Sequence, residues 1–308
     1  MAIIEVSELS KSYAGRTVLD RISFSVEEGE IFGILGPNGT GKTTTVEIIE
    51  GLRRADGGTV RVLGMDPIAD GRALRELVGV QLQHTALPDN LKVWEALDLY
   101  ASFYANPRDW RELLAEWGLV EQRDERFAKL SGGQKQRLII ALALVGNPRV
   151  AFLDELTTGL DPHARRATWE LIKQIRDTGV TVVLVSHFMD EVEELCDRVA
   201  VFSNGTIAAI DSPAGLIDGV GAEHKMRFTV ATGGEVDPEA LTELIRAVPG
   251  VSAVRRDGGH VTVAGTGDFA TAVTGVLARN QAVVSELRID KRTLDDAFTA
   301  LTGRPLGL

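Results

Sequence analysis

The chain has 308 residues, 44% of them hydrophobic and 25% charged, a composition that excludes global disorder and leaves room for two ordinary domains. Its 33 basic and 44 acidic residues give a net charge of −11, which argues against a non-specific nucleic-acid binder and against adhesion to anionic lipid through a polybasic face. Residues 221–308 hold 10 basic and 11 acidic groups, so nearly the whole deficit lies in residues 1–220.

In chain order, Ile3 to Val6 and Ile22 to Val26 alternate apolar and polar residues, which predicts half-exposed antiparallel strands. The opening Met1-Ala-Ile-Ile-Glu-Val puts Glu5 where a secretory signal needs a basic and then an apolar region, so no export signal is expected. Ile31-Phe-Gly-Ile-Leu35, Val150-Ala-Phe-Leu153 and Val180-Thr-Val-Val-Leu-Val185 are short and almost wholly apolar. Strands buried on both faces have this pattern, and they favour a parallel sheet covered by helices, an α/β architecture. Between about Val93 and Arg126 the period turns helical: Val93, Leu97, Tyr100 and Tyr104 recur at helix spacing, as do Leu113, Leu114 and Trp117. A helical subdomain is expected over about 88–145, packed by Trp94 and Trp117; the four tryptophans show no paired arrangement.

Asp211-Ser-Pro-Ala-Gly and Asp218-Gly-Val-Gly221 are turn-rich and end the first unit, expected over residues 1–217. Residues 218–308 then read as a small α+β domain: strand 225–231, helix 238–247, strands 251–256 and 260–264 around Asp257-Gly-Gly259, helix 268–279, strand 283–289 and helix 293–301. The order βαββαβ is that of a ferredoxin-like split βαβ unit. No stretch exceeds 12 residues without an Asp, Glu, Lys or Arg. A spanning helix needs about 20 apolar residues, so membrane contact is expected only through a partner. The single cysteine, Cys196, excludes an internal disulfide and suits a reducing compartment. It follows Glu191, Glu193 and Glu194, which disfavour a thiolate, and a packing role is expected.

The strongest chemical signal is Gly36-Pro-Asn-Gly-Thr-Gly-Lys-Thr43, a G-x-x-x-x-G-K-[ST] loop after an apolar strand and before the helical stretch from Thr44. Glycines let the backbone curl so that N–H groups of Gly36, Asn38, Gly39, Thr40, Gly41 and Thr44, around Pro37, point at phosphate oxygens. Lys42 adds positive charge for the β- and γ-phosphates, and Thr43 offers a hydroxyl to Mg²⁺. The helix that follows aims its N-terminal dipole at the same anion. Val150-Ala-Phe-Leu-Asp-Glu155 ends a buried strand in two carboxylates, Asp154 to face the metal and Glu155 to polarise a water.

With these in place, Leu130-Ser-Gly-Gly-Gln-Lys-Gln-Arg137, 20 residues upstream of the Asp/Glu strand, resembles the signature of ABC-type ATPases. Exposed N–H groups and the Ser131 hydroxyl at a helix start form an anion-binding device in their own right. Further positions are similar to that family in order and spacing over residues 3–215. Gln83 stands where the family brings a glutamine to Mg²⁺ and water, and His187 where a switch histidine meets the γ-phosphate. Asp161, in Thr158-Gly-Leu-Asp161, matches the D-loop, and Tyr13 stands where the family stacks a ring on adenine. One position departs: the family usually has proline after Asp-Glu, and here Leu156 follows, which does not fix φ and adds an N–H.

The resemblance implies an ATP- and Mg²⁺-dependent ATPase with a P-loop NTPase fold of ABC type: an antiparallel β subdomain, a parallel-sheet core and the helical subdomain. It also implies a head-to-tail homodimer, each ATP lying between the phosphate loop of one copy and Ser131, Gly132, Gly133 and Gln134 of the other. Separate integral-membrane permease subunits would be the partners, at the cytoplasmic face of the cell membrane, with no nucleic acid involved. Thr293-Leu-Asp-Asp-Ala-Phe-Thr-Ala-Leu-Thr-Gly303 resembles the closing segment of type-2 exporter ATPases, including drug and antibiotic-resistance exporters, and implies a regulatory or dimerising role for residues 218–308. Three readings compete: an importer ATPase with a ligand-sensing C-terminal domain, a soluble ABC ATPase acting on ribosomes or DNA, and a module that holds nucleotide without turnover.

Overall fold

Strands β1 (Ala2–Tyr13) and β2 (Arg16–Glu27) form one antiparallel hairpin, twelve residues to a side. Both run well beyond the short segments whose alternation announces them, because the period slips. The register shifts between Val6 and Leu9, and Glu8 and Arg21 have φ of 50°. Each slip adds a residue and returns the next apolar side chain, Leu9 or Ile22, to the buried face. The computed structural model describes residues 1–81, 87–220, 224–230, 237–290 and 292–303. Within them the chain divides between Pro213 and Ala214, four residues earlier than composition suggests.

The first unit continues with β3 (Ile31–Leu35), α1 (Lys42–Ile49), β4 (Gly57–Val62), α2 (Gly71–Arg75) and β5 (Val78–Gln81). Helices α3 (Val93–Ala101), α4 (Trp110–Glu116) and α5 (Gly132–Leu144) follow, then β6 (Val150–Asp154), α6 (Pro162–Asp177), β7 (Thr181–Ser186), α7 (Met189–Leu195), β8 (Arg198–Ser203), β9 (Thr206–Asp211) and α8 (Pro213–Gly219), which crosses the unit boundary. Two sheets result, an antiparallel β2-β1-β4 and a six-stranded β5-β6-β7-β3-β8-β9 that is parallel except for its last strand. The apolar runs at β3, β6 and β7 lie at its centre, buried on both faces. Pairing places Leu35 level with Ser186, and Asp154 level with Val185. The chain segments that leave β3, β6 and β7 therefore emerge side by side at the carboxyl edge, where open α/β sheets bind ligands.

Leu97, Leu113 and Leu138 are wholly buried in the helical block, as is nearly all of Trp117. Two tryptophans do pair there: the Trp94 and Trp110 rings lie 6.4 Å apart, tilted, and Trp110 Nε1 donates to Asp98 at 3.1 Å. Helix spacing alone does not show this, because the pair joins α3 to α4 across a loop. Cys196 is buried, and a Cβ at Gly33 would sit 2.8 Å from its Sγ, so the thiol packs against β3 where only glycine leaves room. Among the described residues no helix is long and apolar enough to cross a membrane.

The second unit contains β10 (His224–Val230), α9 (Pro238–Arg246), β11 (Val251–Asp257), β12 (His260–Gly265), α10 (Phe269–Arg279), β13 (Val284–Asp290) and α11 (Leu294–Thr302). Its strands pair antiparallel in the order β11-β12-β10-β13, with the last strand returning beside the first. Met226, Phe228, Leu241, Val263, Phe269 and Val273 make its own core. Asp237 caps α9 through the Glu239 N–H, and Thr293 forms a capping box with Asp296 at α11.

Candidate functional site

The loop from Gly36 to Gly41 closes around the Lys42 ammonium, which donates to Gly36 O at 2.6 Å and Pro37 O at 3.0 Å. Thr40 Oγ1 donates to Pro37 O at 2.9 Å, and Thr45 Oγ1 donates to Gly41 O at the same distance. Gly39 and Gly41 have φ of 80° and 100°. A Cβ on Gly41 would lie 2.4 Å from Leu19 Cδ2 and 2.9 Å from Val18 O, so both conformation and space require glycine there. Gly41 is also the N-cap of α1, which starts with no side-chain cap and no acidic residue in its first turn. Helices α4, α5, α6, α9 and α11 each have a capping carboxylate or hydroxyl, whereas α2, α7 and α10 lack a side-chain cap as α1 does. The N–H groups and dipole at the start of α1, beside exposed Thr43 and half-buried Thr44, are thus not taken up by a side chain of the helix itself.

Asp154 ends β6 and Glu155 begins the turn beyond it. Glu155 has φ of 50°, an uncommon conformation for a residue with a side chain, and its N–H donates to Val185 O at 2.9 Å. His187 Nδ1 stands 3.3 Å from Glu155 Oε1. Burial, then the Glu155 charge, pushes Asp154 up to about 6, while Lys42 and His187 oppose the rise. Burial also lowers Lys42, and the Glu155 and Asp154 charges oppose that. These four side chains form one electrostatic cluster. Leu156, at the position where proline is usual, is fully buried and serves as a core residue.

Ser131 and Gln134 form a reciprocal capping box at α5: Gln134 N–H donates to Ser131 Oγ at 3.3 Å, and Ser131 N–H to Gln134 Oε1 at 2.8 Å. Asp161 Oδ1 accepts from the His163 and Ala164 N–H groups at 2.9 and 3.0 Å, capping α6. A cavity of about 440 Å³ is lined by Ser131, Gly132, Gly133, Gly159, Asp161 and His163, among others, and by no residue of the Gly36–Thr44 loop. Two groupings therefore arise within one chain, Lys42–Asp154–Glu155–His187 and Ser131–Gly132–Gly133–Asp161. Tyr13 belongs to neither by direct contact. Its ring is 38% exposed, with the Lys11 and Arg53 cations each 5.4 Å from its centre. Gln83 lies outside the described residues.

Two carboxyl groups near the cluster carry no motif. Glu191, which the sequence groups with Glu193 and Glu194 only as the acidic stretch before Cys196, is wholly buried while those two are exposed. Its position four residues before Leu195 on α7 is the one signal that could have placed it inside. Glu50, at the end of α1, is raised to about 8 by burial and then by Asp154, and its Oε2 is buried without a hydrogen-bond partner.

Residues 19–158 match the family model described as ABC transporter. The chain is similar to the Nod factor export ATP-binding protein I of Rhizobium etli, with 40% identity over 223 residues that cover 71% of each chain. It is also similar to the daunorubicin/doxorubicin resistance ATP-binding protein of Streptomyces peucetius, 33% identical over 98% of this chain and 93% of that one. A solved structure described as an ATP binding subunit of an ABC transporter covers 71% of this chain and 93% of its own, with a TM-score of 0.65 and 28% identity.

Proposed function

The chain belongs to the ATP-binding proteins of the ABC transporter family and is an ATPase of that type, and from that premise we propose that it supplies the energy for a membrane exporter. The observation that supports the site assignment is the cluster of Lys42, Asp154, Glu155 and His187 where β3, β6 and β7 end. ATP phosphates lie in the Gly36–Thr44 loop, gripped by its N–H groups and the start of α1. Lys42 turns its charge from the Gly36 and Pro37 carbonyls to the β- and γ-phosphates. Glu155 orients and polarises the attacking water, and His187, 3.3 Å from it, stabilises charge on the γ-phosphate. Tyr13 stacks on the adenine.

Mg²⁺ fits the donors present. That ion is usually held by one or two carboxylates together with substrate phosphates, and no group of three or more His, Cys, Asp or Glu able to hold a metal occurs among the described residues. Asp154 and Thr43, with Gln83, would hold it, and when bound it supplies charge neutralisation at the phosphate oxygens.

Ser131, Gly132, Gly133, Gln134 and Asp161 complete the site in a second copy. The cavity lined by Ser131, Gly132, Gly133 and Asp161 holds nothing of the phosphate loop, which supports a head-to-tail homodimer with two composite sites. ATP binding closes the pair and hydrolysis opens it, and this two-state element drives separate permease subunits at the cytoplasmic face of the membrane. The transported molecule is of the drug, antibiotic or lipid-like class, and the relative named for daunorubicin/doxorubicin resistance supports the drug end of that range. The second unit regulates or steadies the dimer.

Two variants test the catalytic assignment. Lys42→Ala weakens ATP binding by at least roughly tenfold in titration calorimetry, since one charge-assisted phosphate contact is lost. Glu155→Gln keeps ATP affinity and loses roughly a hundredfold or more in kcat, the size expected for a general base. Wild-type turnover in Glu155→Gln removes that residue from the chemistry, and unchanged affinity in Lys42→Ala contradicts the phosphate-loop assignment.

A further inference from the structure

Glu191 is a carboxyl side chain with no solvent access, held by three segments that flank the catalytic pair; burial raises its proton affinity and the contacts with Ser186, Thr157 and Trp169 oppose the rise. Ser186 Oγ, at the end of β7, donates to Glu191 Oε2 at 2.5 Å, and Trp169 Nε1 of α6 donates to Oε1 at 3.1 Å. Thr157, two residues after Glu155 and itself fully buried, lies against the same carboxyl group without a well-formed hydrogen bond.

The polarity of this arrangement matters. Ser186 Oγ also accepts the Phe188 N–H at 3.0 Å, so one hydroxyl ties down the backbone on both sides of His187. A serine hydroxyl has one proton to give. Because that proton is directed at Glu191 Oε2 in a hydrogen bond, the oxygen lone pairs stay turned toward Phe188 N–H. The His187 side chain is left 37% exposed and directed at Glu155. The Trp169 contact carries the same carboxylate to α6, the helix that Asp161 caps. On the outer side Phe188 is covered by the Arg165 guanidinium, 4.4 Å from its ring centre, and Arg165 pairs with Asp190 at 3.1 Å.

We propose that Glu191 is a positioning residue for ATP hydrolysis: through Ser186 it sets His187 against Glu155, and through Trp169 it joins that pair to α6 and the Asp161 turn. The inference rests on the assignment of Glu155 and His187 to hydrolysis. It makes Glu191 the link by which the position of α6, whose capped end faces the Ser131 cavity, reaches the reacting groups.

Glu191→Gln in the full chain tests it. Glutamine retains an oxygen for Trp169 but turns an amide donor toward Ser186, which reverses the hydrogen bond. The expected result is a roughly tenfold lower kcat, the scale of a small misplacement of reacting groups, with KM for ATP and the melting temperature close to wild type. Trp169→Phe, which keeps an aromatic ring but removes the N–H, gives a smaller loss in the same direction. The decisive readout is the double variant with His187→Ala. A residue acting through His187 loses most of its effect in that background, whereas one that only supports the fold lowers kcat by the same factor in both. Wild-type kcat in Glu191→Gln, equal factors in the two backgrounds, or a loss that follows the melting temperature overturns the proposal. Glu155→Gln measured alongside separates the two levels: if it is inactive while Glu191→Gln is not, the positioning role alone fails; if Glu155→Gln is fully active, both fail.

Discussion

At the scale of single residues, the carboxyl groups behind the phosphate loop make a pH signature. Burial and Glu155 raise Asp154 from 3.8 to about 6; burial and Asp154 raise Glu50 from 4.5 to about 8. In each case the folded chain retains a proton that the unfolded chain has released. The stabilisation is complete below the unfolded value and is lost as pH rises through the folded one, between 3.8 and about 6 for Asp154 and between 4.5 and about 8 for Glu50. Glu50 is the more useful probe, because its buried Oε2 has no hydrogen-bond partner and it has no part in the proposed chemistry. Glu50→Gln is nearly isosteric with the protonated acid, so melting at pH 5 should match wild type. At pH 9 the variant should melt roughly 4 °C or more higher, the shift expected for one to two kcal/mol of relieved charge burial in a domain of this size. Differential scanning calorimetry across this range checks it, and parallel curves for the two proteins would show that Glu50 titrates as in solution.

At the scale of elements, the same residue often serves both fold and site. Ser131 is the N-cap of α5 and, in the proposed dimer, the hydroxyl that meets the partner's nucleotide. Loss of a cap costs about 1 kcal/mol, equivalent to roughly 2–4 °C of melting temperature. Ser131→Ala should therefore melt slightly lower yet lose roughly tenfold or more in ATP turnover at temperatures where it is fully folded, as expected for a lost phosphate contact. Turnover that recovers fully on cooling would reduce Ser131 to a cap. Elements whose chemistry and period agree are legible in the amino-acid order. The buried runs at β3, β6 and β7, the phosphate loop and the Ser131 helix start all fall where their residues announce them. What is hidden depends on contacts remote in sequence. Slips at Glu8 and Arg21 conceal the length of β1 and β2, and the Trp94–Trp110 pair needs two helices and a loop to meet. Glu191 looks like one more surface acid until Ser186 and Trp169, 5 and 22 residues away, are brought to it.

At the scale of the whole molecule, the question is how the two groupings of one chain come to act together. The copies carry −11 each, and 221–308 is nearly neutral, so long-range repulsion between copies resides in residues 1–220. In the proposed dimer, closing the ATPase units against each other would thus need a ligand that adds specific contacts, and contact through the second units would meet little opposing charge. The chain is well suited to a direct test because its one cysteine, Cys196, is buried, with a thiol raised by burial and the neighbouring Glu191, and is inert. Asn38 and Ser131 are both exposed. In a Glu155→Gln background, chosen to hold ATP, one chain is given Asn38→Cys and another Ser131→Cys, so any bond between the two positions must join separate molecules. A covalent dimer should form in the mixture with ATP, much less with ADP, and in neither variant alone. If the mixture yields none with ATP while a single chain bearing both substitutions closes on itself, the signature serves its own phosphate loop. The head-to-tail engine is then excluded even though every motif remains in place.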